Sequence, residues 1–155
     1  MPALIPAKAY ILKNVASGTV MDMSWDEDWA NANIEKDANV VHGHSYPVRF
    51  ENQQWYFEER AGGVAIRNKR RNKHLTIKDG IQARALVVAK VVTETPQNFT
   101  IWQAAGSDTV QIFVRDTNFC LELNNGDSAN RTPISINPHH GGRSQQWTVI
   151  PVENE

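Results

Sequence analysis

Gln53-Gln54-Trp55 is the first of three Gln-x-aromatic motifs in this chain, and the others are Gln97-Asn98-Phe99 and Gln145-Gln146-Trp147. The motifs begin 44 and then 48 residues apart, and each runs into a short apolar stretch with the alternation of a β-strand. Self-similarity at a period of this length is the signature of a repeat architecture. The spacing therefore predicts that three copies of one structural unit fill the chain.

The repeats share a second pattern outside the motif. Each opens with a strand, a turn and a short strand, as in Tyr10 to Met23 around a Ser17-Gly18 turn, and a long loop then leads to two further strands. No stretch has strong helical periodicity, which predicts an all-β class. A unit of four strands cannot bury its apolar face alone. Three such units are expected to close into a barrel capped by hairpins, which leaves no open sheet edge.

Length and composition fit one domain over residues 1–155, with repeats at about 8–60, 61–106 and 107–155. Hydrophobic residues make up 41% of 155 positions, which supplies one core but not two. Lys plus Arg number 16 against 17 Asp plus Glu, a net charge of -1. No overall field then attracts nucleic acid or an anionic membrane, and a neutral partner is expected.

Cysteine usage and the first residues of the chain bear on its location. Cys120 is the single cysteine, which excludes an intramolecular disulfide and a Cys-rich metal site. The residues after Met1 lack the features of a signal peptide, and no apolar run is long enough to span a bilayer. We expect a cytoplasmic protein without membrane insertion, which would reach the exterior only by a route without a classical signal.

The three motifs, together with the stretch from Tyr10 to Met23, resemble those of ricin-B-like β-trefoil lectins of the small mushroom type, and the resemblance covers nearly the whole chain. It implies a β-trefoil of three four-stranded repeats with pseudo-threefold symmetry. It also implies a protein that binds terminal galactose or N-acetylgalactosamine on glycoproteins or glycolipids. Because the same fold hosts protease inhibitors, an inhibitor acting through surface loops is the alternative.

The resemblance assigns sugar-binding roles to residues of the first repeat. In such lectins an Asp follows the first turn, a Gly and an aromatic residue follow the third strand, and an Asn precedes the motif. These positions are Asp22, Gly43, His44 and Asn52, and His42 adjoins them. Asp22 would accept hydrogen bonds from sugar hydroxyls, and Asn52 would add a donor and an acceptor. The alternative for Asp22 is a purely structural role, in which its carboxylate caps a turn.

The aromatic platform of this predicted site departs from the family pattern. His44 stands where many members carry Trp, so either affinity is lower or Tyr46 or Trp25 supplies the surface on which a sugar stacks. Trp25 and Trp29 lie in an insertion of the first repeat, which is also the candidate loop of the inhibitor alternative. The two Trp side chains either form a wall for a second sugar or pack against the barrel.

The other two repeats fit the pattern less well. In the second, Thr76 replaces the Asp and Pro96 replaces the Asn, so this site is expected to be inactive. In the third, Glu122, Asn137 and Ser144 stand where Asp22, His44 and Asn52 do, which predicts a degenerate or altered site, helped by the pair 139–140 of adjacent histidines. One competent site is therefore predicted, and agglutination of cells would need at least a homodimer.

Other function classes find little support in the sequence. The basic run at residues 67–74 falls where a hairpin turn is expected, so its charges are interpreted as solvated surface rather than a polyanion site. No third ligand joins His42 and His44, and no metal site is predicted. The chain has no serine elbow, phosphate loop or zinc signature, so neither catalytic residues nor a cofactor are predicted.

Overall fold

The computed structural model describes residues 4–5, 7–25, 38–45, 50–92, 94–103 and 106–152. Within these ranges the strands, numbered β1 to β12, are Tyr10–Asn14, Val20–Met23, Ala38–His44, Trp55–Arg60, Gly63–Asn68, His74–Ile77, Ala85–Lys90, Phe99–Gln103, Thr109–Val114, Phe119–Leu123, Thr132–Pro138 and Trp147–Pro151. Short 3-10 helices span Glu51–Gln53, Asn124–Gly126 and Arg143–Gln145. The predicted all-β class is confirmed. None of the helices in the described ranges is long and apolar enough to cross a membrane.

Six strands close a barrel. Antiparallel pairs join β1 to β4, β4 to β5, β5 to β8, β8 to β9, β9 to β12 and β12 back to β1. The other six strands form the hairpins β2–β3, β6–β7 and β10–β11, which meet at one end through β3, β7 and β11. Each successive group of four strands adds two barrel strands and one hairpin. This is the predicted β-trefoil with pseudo-threefold symmetry.

The motif aromatics anchor each repeat in the shared core. Trp55, Phe99 and Trp147 are fully buried in the main core. The indole N–H of Trp55 donates to the carbonyl of Met21 at 2.9 Å, and that of Trp147 donates to the carbonyl of Leu121 at 3.3 Å. Burial of each ring contributes about 1.5–3 kcal/mol. Because Met21 and Leu121 lie on hairpin strands, the two Trp residues also tie hairpin to barrel.

The hairpin register places one residue pair at the same position of each repeat: Asp22–His42, Thr76–Val88 and Glu122–Ser135. Asp22 directly follows Met21 and Glu122 directly follows Leu121, the two residues whose carbonyls the motif indoles contact. The sequence alignment of the repeats is thus reproduced in three dimensions. It allows the three potential sites to be compared atom by atom.

A charged cluster joins neighbouring side chains of β4, β5 and β6. Glu58 on β4 accepts hydrogen bonds from Arg67 Nε at 2.9 Å, and its other oxygen lies 2.6 Å from His74 Nε2. Partial burial alone would raise the pKa of Glu58, but these two hydrogen bonds and the positive charges behind them outweigh it and lower the pKa. The Arg67 guanidinium also lies over the ring of Tyr56, at 4.6 Å from its centre.

Candidate functional site

The carboxylate of Asp22 is held by three neighbouring side chains. His42 Nε2 lies 2.9 Å from Oδ1, and the side-chain amides of Asn52 and Gln53 each donate to Oδ2 at 3.1 Å. The Asp22 side chain is 6% exposed. An ionised carboxylate offers about four acceptor positions, so three donors leave about one for a ligand hydroxyl. Asp22 is therefore an oriented acceptor.

Two local features bring these donors together. The β2–β3 register sets His42 directly across from Asp22. The 3-10 helix Glu51–Gln53 then turns the chain so that two consecutive side chains, Asn52 and Gln53, face the carboxylate just before β4 begins at Trp55. Because the indole of Trp55 is hydrogen-bonded to Met21 on β2, Gln53 of the same motif lies beside Asp22.

The amides of Asn52 and Gln53 keep unpaired acceptor oxygens beside the carboxylate. Asn52 Nδ2 donates to both Asp22 and the carbonyl of Met23, while Gln53 Nε2 donates to Asp22 and the carbonyl of Ser45. Their oxygens are buried and have no hydrogen-bond partner among the described residues. Leaving a buried acceptor unpaired is costly, so these oxygens favour a ligand or water hydroxyl. Asn52 thus offers an acceptor, where sequence reasoning expected a donor as well.

His42 and His44 differ in their surroundings although they share one face of β3. His42 is buried and its ring contacts Asp22, so it positions the carboxylate. His44 is half-buried, with Nδ1 at 3.3 Å from both the carbonyl and the hydroxyl oxygen of Ser45. The ring centres lie 6.1 Å apart. His44 thus keeps part of its ring open to a ligand. Tyr46 lies outside the described residues.

Gly43 has a packing role that the sequence did not reveal. A Cβ at this position would lie 2.8 Å from Leu123 Cδ1 and 2.9 Å from Thr19 Oγ1, closer than real contacts allow. Its carbonyl accepts a hydrogen bond from the amide of Arg131 at 2.8 Å. The Gly43 carbonyl is therefore already paired within the protein, and the small residue lets β3 approach the third repeat closely. A role of Gly43 in sugar binding stays a prediction.

Trp25 lies three residues beyond Asp22, just after β2 ends. Its side chain is exposed and meets Phe50 edge to face, with ring centres 5.9 Å apart, while the Arg70 guanidinium lies 3.8 Å from its ring centre. Phe50, also exposed, precedes the 3-10 helix that carries Asn52. The aromatic pair thus flanks the Asp22 network. Trp29 and the rest of the predicted inhibitor loop lie outside the described residues.

The second repeat lacks the carboxylate. Thr76 faces Val88, and its hydroxyl donates to the carbonyl of His74 at 3.1 Å. A depression of about 520 Å³ lies here, lined by Thr76, Pro96 and Gln97 among others. The only hydrogen bond of Gln97 within the described part of the chain is a long one, 3.5 Å, to the carbonyl of Asn98. Inactivity of this repeat stays a prediction.

The third repeat keeps a carboxylate network. Glu122 Oε1 accepts a hydrogen bond from Gln145 Nε2 at 3.1 Å, and Oε2 accepts one from Ser144 Oγ at 3.0 Å and lies 3.3 Å from His140 Nε2. The longer Glu122 side chain thus still reaches the motif glutamine. The network borders a depression of about 560 Å³ that Arg84 of the second repeat also lines. Sequence reasoning missed Arg84.

Cysteine and metal chemistry find no support around these networks. Cys120 is fully buried on β10, and burial, with a smaller contribution from the charge of Glu122, raises the pKa of its thiol to about 12. It is therefore protonated at neutral pH and is no nucleophile. The described ranges contain no group of three or more His, Cys, Asp or Glu side chains placed to hold a metal ion.

Comparisons with known proteins agree with this geometry. Residues 51–137 match the model of the ricin-type β-trefoil lectin domain-like family. The Macrolepiota procera ricin B-like lectin, solved in complex with lactose, is 26% identical with a TM-score of 0.80, and the match covers 96% of this chain and 99% of that one. The Rhizoctonia solani agglutinin is 25% identical with a TM-score of 0.80, covering 98% and 100%.

The designed threefold-symmetric protein ThreeFoil shares the fold at 19% identity, with a TM-score of 0.80 over 93% of this chain and 99% of its own. None of the curated proteins matches this chain by sequence. The family match spans more than half of the chain. This protein therefore belongs to the ricin-type β-trefoil lectin domain-like family.

Proposed function

We propose that this protein is a lectin whose first repeat binds terminal galactose or N-acetylgalactosamine on the glycans of glycoproteins or glycolipids. The observation that carries the proposal is the Asp22 carboxylate, oriented by three donors and flanked by two buried amide oxygens that lack partners among the described residues. Lactose ends in galactose, so the lactose complex of the Macrolepiota procera protein supports this choice of sugar.

The chemistry of the site suits a neutral sugar. Asp22 accepts one hydroxyl hydrogen bond at its remaining position, and Asn52 Oδ1 and Gln53 Oε1 accept further hydroxyls. His44 supplies a partly open ring, and Trp25 and Phe50 supply exposed apolar surface for the C–H face of a sugar. His42 acts through Asp22 by holding its carboxylate in place.

Calorimetric titration with lactose, comparing Asp22→Ala with Thr76→Ala, tests this function. Thr76 occupies the equivalent position of the second repeat, so Thr76→Ala is a matched control with no carboxylate to lose. We expect Asp22→Ala to weaken binding at least about tenfold, because a charge-assisted hydrogen bond and the orientation of two amides are lost. Thr76→Ala should bind as the wild type does.

Asp22→Ala also leaves three buried donors without their acceptor, which costs about 1–3 kcal/mol of stability for each unsatisfied group. Circular dichroism must therefore show that the variant is folded. Asn52→Ser is the second variant, because it copies Ser144 of the third repeat and removes the open Oδ1. If folded Asp22→Ala and Asn52→Ser both bind lactose as the wild type does, the first repeat is not the binding site.

Two further measurements address the wider proposal. A lectin should give no stoichiometric inhibition of cysteine or serine proteases, so inhibition at equimolar ratio would favour the inhibitor alternative. A chain with one site cross-links cells only as a dimer or larger assembly. Agglutination by a protein that sedimentation shows to be monomeric would therefore mean that the chain carries more than one site.

A further inference from the structure

The third-repeat depression is lined by a cationic and an anionic side chain that do not form an ion pair with each other. Arg84 and Glu122 both line its volume of about 560 Å³, which lies within the range of small-molecule sites. Both residues are in the described part of the chain, and no ion pair forms between them. A cavity lined by both a cation and a carboxylate favours a ligand that carries an anionic group and hydroxyl donors.

Arg84 is held in place by its backbone. Its φ of 68° is in the left-handed region, which a long L side chain rarely adopts. Its amide donates to the carbonyl of Ile136 at 2.8 Å and to Asn137 Oδ1 at 3.1 Å, so β11 of the third repeat fixes the conformation. Strained residues of this kind persist where surrounding structure enforces them, often at ligand sites. Arg84, which is exposed, thus lines the depression from the second repeat on a backbone that the third repeat holds.

The carboxylate of Glu122, which lines the same depression, is already oriented to accept hydroxyls. Glu122 is 13% exposed on its side chain and is oriented by Gln145, Ser144 and His140. The polar wall continues through Asn124, whose Oδ1 accepts a hydrogen bond from the hydroxyl of Ser135 at 2.7 Å. This polar wall resembles the Asp22 network chemically. The two repeats differ in the placement of an arginine: Arg84 lines the third-repeat depression together with Glu122, whereas the guanidinium of Arg70 lies over the ring of Trp25.

We propose that the third-repeat depression binds a saccharide that carries a carboxylate or sulfate group. Arg84 contacts the anionic group through its planar set of N–H donors, which matches carboxylate and sulfate oxygens, and Glu122 accepts a sugar hydroxyl. The proposal rests on the proposed lectin function and adds a charge-selective site to it. Arg84 is the specificity-determining residue.

Titration with lactose, 3′-sialyllactose and lactose 3′-sulfate tests this site, with side-chain amide signals in NMR spectra as the site-specific readout. The amide of Gln145 reports on the third repeat and that of Gln53 on the first. We expect both charged sugars, or the one whose anion fits, to shift the Gln145 signal at concentrations about three- to tenfold below lactose. A preference for only one of them identifies the anion as carboxylate or sulfate.

Arg84→Ala should remove this preference, while Arg71→Ala should keep it. Arg71 is also exposed and its loss changes the net charge equally, but it lies on the β5–β6 turn and does not line the depression. Arg84→Gly is the second variant, because glycine adopts the observed backbone conformation without strain and so guards against a folding defect. It should behave as Arg84→Ala does.

The outcomes separate this proposal from the function on which it rests. If lactose shifts Gln53 but the charged sugars show no advantage at Gln145, charge selectivity is wrong and the first-repeat lectin stands. If the advantage survives in Arg84→Ala, or is lost equally in Arg71→Ala, Arg84 does not confer it and the proposal is overturned. If no sugar shifts either amide, the proposed function fails, and this inference fails with it.

Discussion

Replacing the motif glutamines one at a time by alanine should give unequal losses of stability. Gln53 is buried and donates to the Asp22 carboxylate at 3.1 Å and to the carbonyl of Ser45 at 3.0 Å. A hydrogen bond to a charged group contributes about 1.5–3 kcal/mol and a neutral one about 0.5–1.5 kcal/mol. We expect Gln53→Ala to lower the free energy of unfolding by about 2–4 kcal/mol, since the acceptors stay buried.

Gln145 should be at least as sensitive, and Gln97 should be nearly insensitive. Gln145 donates to Glu122 and to the carbonyl of Pro138, and its own oxygen accepts from the amide of His140. Gln97 is half-buried and makes one 3.5 Å contact with the carbonyl of its neighbour. At that distance little energy is at stake, so Gln97→Ala should cost less than about 0.5 kcal/mol.

Urea denaturation at about neutral pH, followed by tryptophan fluorescence, measures these differences within one fold. Gln97→Ala is the internal control, because it removes the same side chain from the same position of a repeat. For a chain of this size 1 kcal/mol shifts Tm by about 2–4 °C, so Gln53→Ala should lower Tm by about 4–16 °C. Equal losses for all three variants would mean that the glutamine acts through barrel packing, and the assignment of carboxylate contacts would be refuted.

Three other changes test separate features. Glu58→Gln should destabilise the protein at neutral pH, because the lowered pKa of Glu58 in the folded state contributes stability. This contribution is present above the unfolded-state pKa of about 4.5 and is lost as pH falls through the pKa of the folded state, so the difference from the wild type should vanish there. A constant difference down to pH 2 in thermal melts would contradict this. Cys120 should resist iodoacetamide at about pH 8 in the native state and react once urea unfolds the chain, as mass spectrometry would detect; rapid native labelling would show an accessible thiolate. Gly43→Ala should cost about 1–3 kcal/mol in urea denaturation, because its Cβ meets the buried Leu123; an unchanged midpoint would show that the hairpins are less tightly packed than described.

The architecture was predictable because its determinants are local and repeated. The Gln-x-aromatic motif supplies a large side chain at a fixed place in each repeat, and Trp55, Phe99 and Trp147 are all buried in the core. Strand alternation and turn residues then define the four strands of each unit. A pattern that recurs three times leaves few alternative architectures, since each copy must satisfy the same packing.

The site residues were predictable only where the chemistry of the side chain itself indicates its role. The family resemblance named Asp22, His42 and Asn52 as site residues, and the structure brings these three into one network. It assigns Gly43 to packing, because the approach of β3 to Leu123 depends on pairing between repeats distant in sequence. Arg84 was missed for a related reason. Its left-handed φ, and its place at the third repeat rather than the second, follow from contacts with β11 that no local pattern encodes.

The threefold arrangement separates the parts of the chain that stabilise the fold from those that determine ligand chemistry. The barrel keeps a buried aromatic in every repeat, whereas the register position on the hairpins carries Asp22, Thr76 and Glu122 in turn. Thr76 shows that the carboxylate is not needed for a hairpin to pair. In the two repeats that have a carboxylate, the motif glutamine donates a hydrogen bond to it, whereas in the second repeat the glutamine makes only a weak contact with the next residue. The carboxylate therefore orients the polar side chains around it, and a substitution at this position changes the chemistry of one repeat without a change to the barrel.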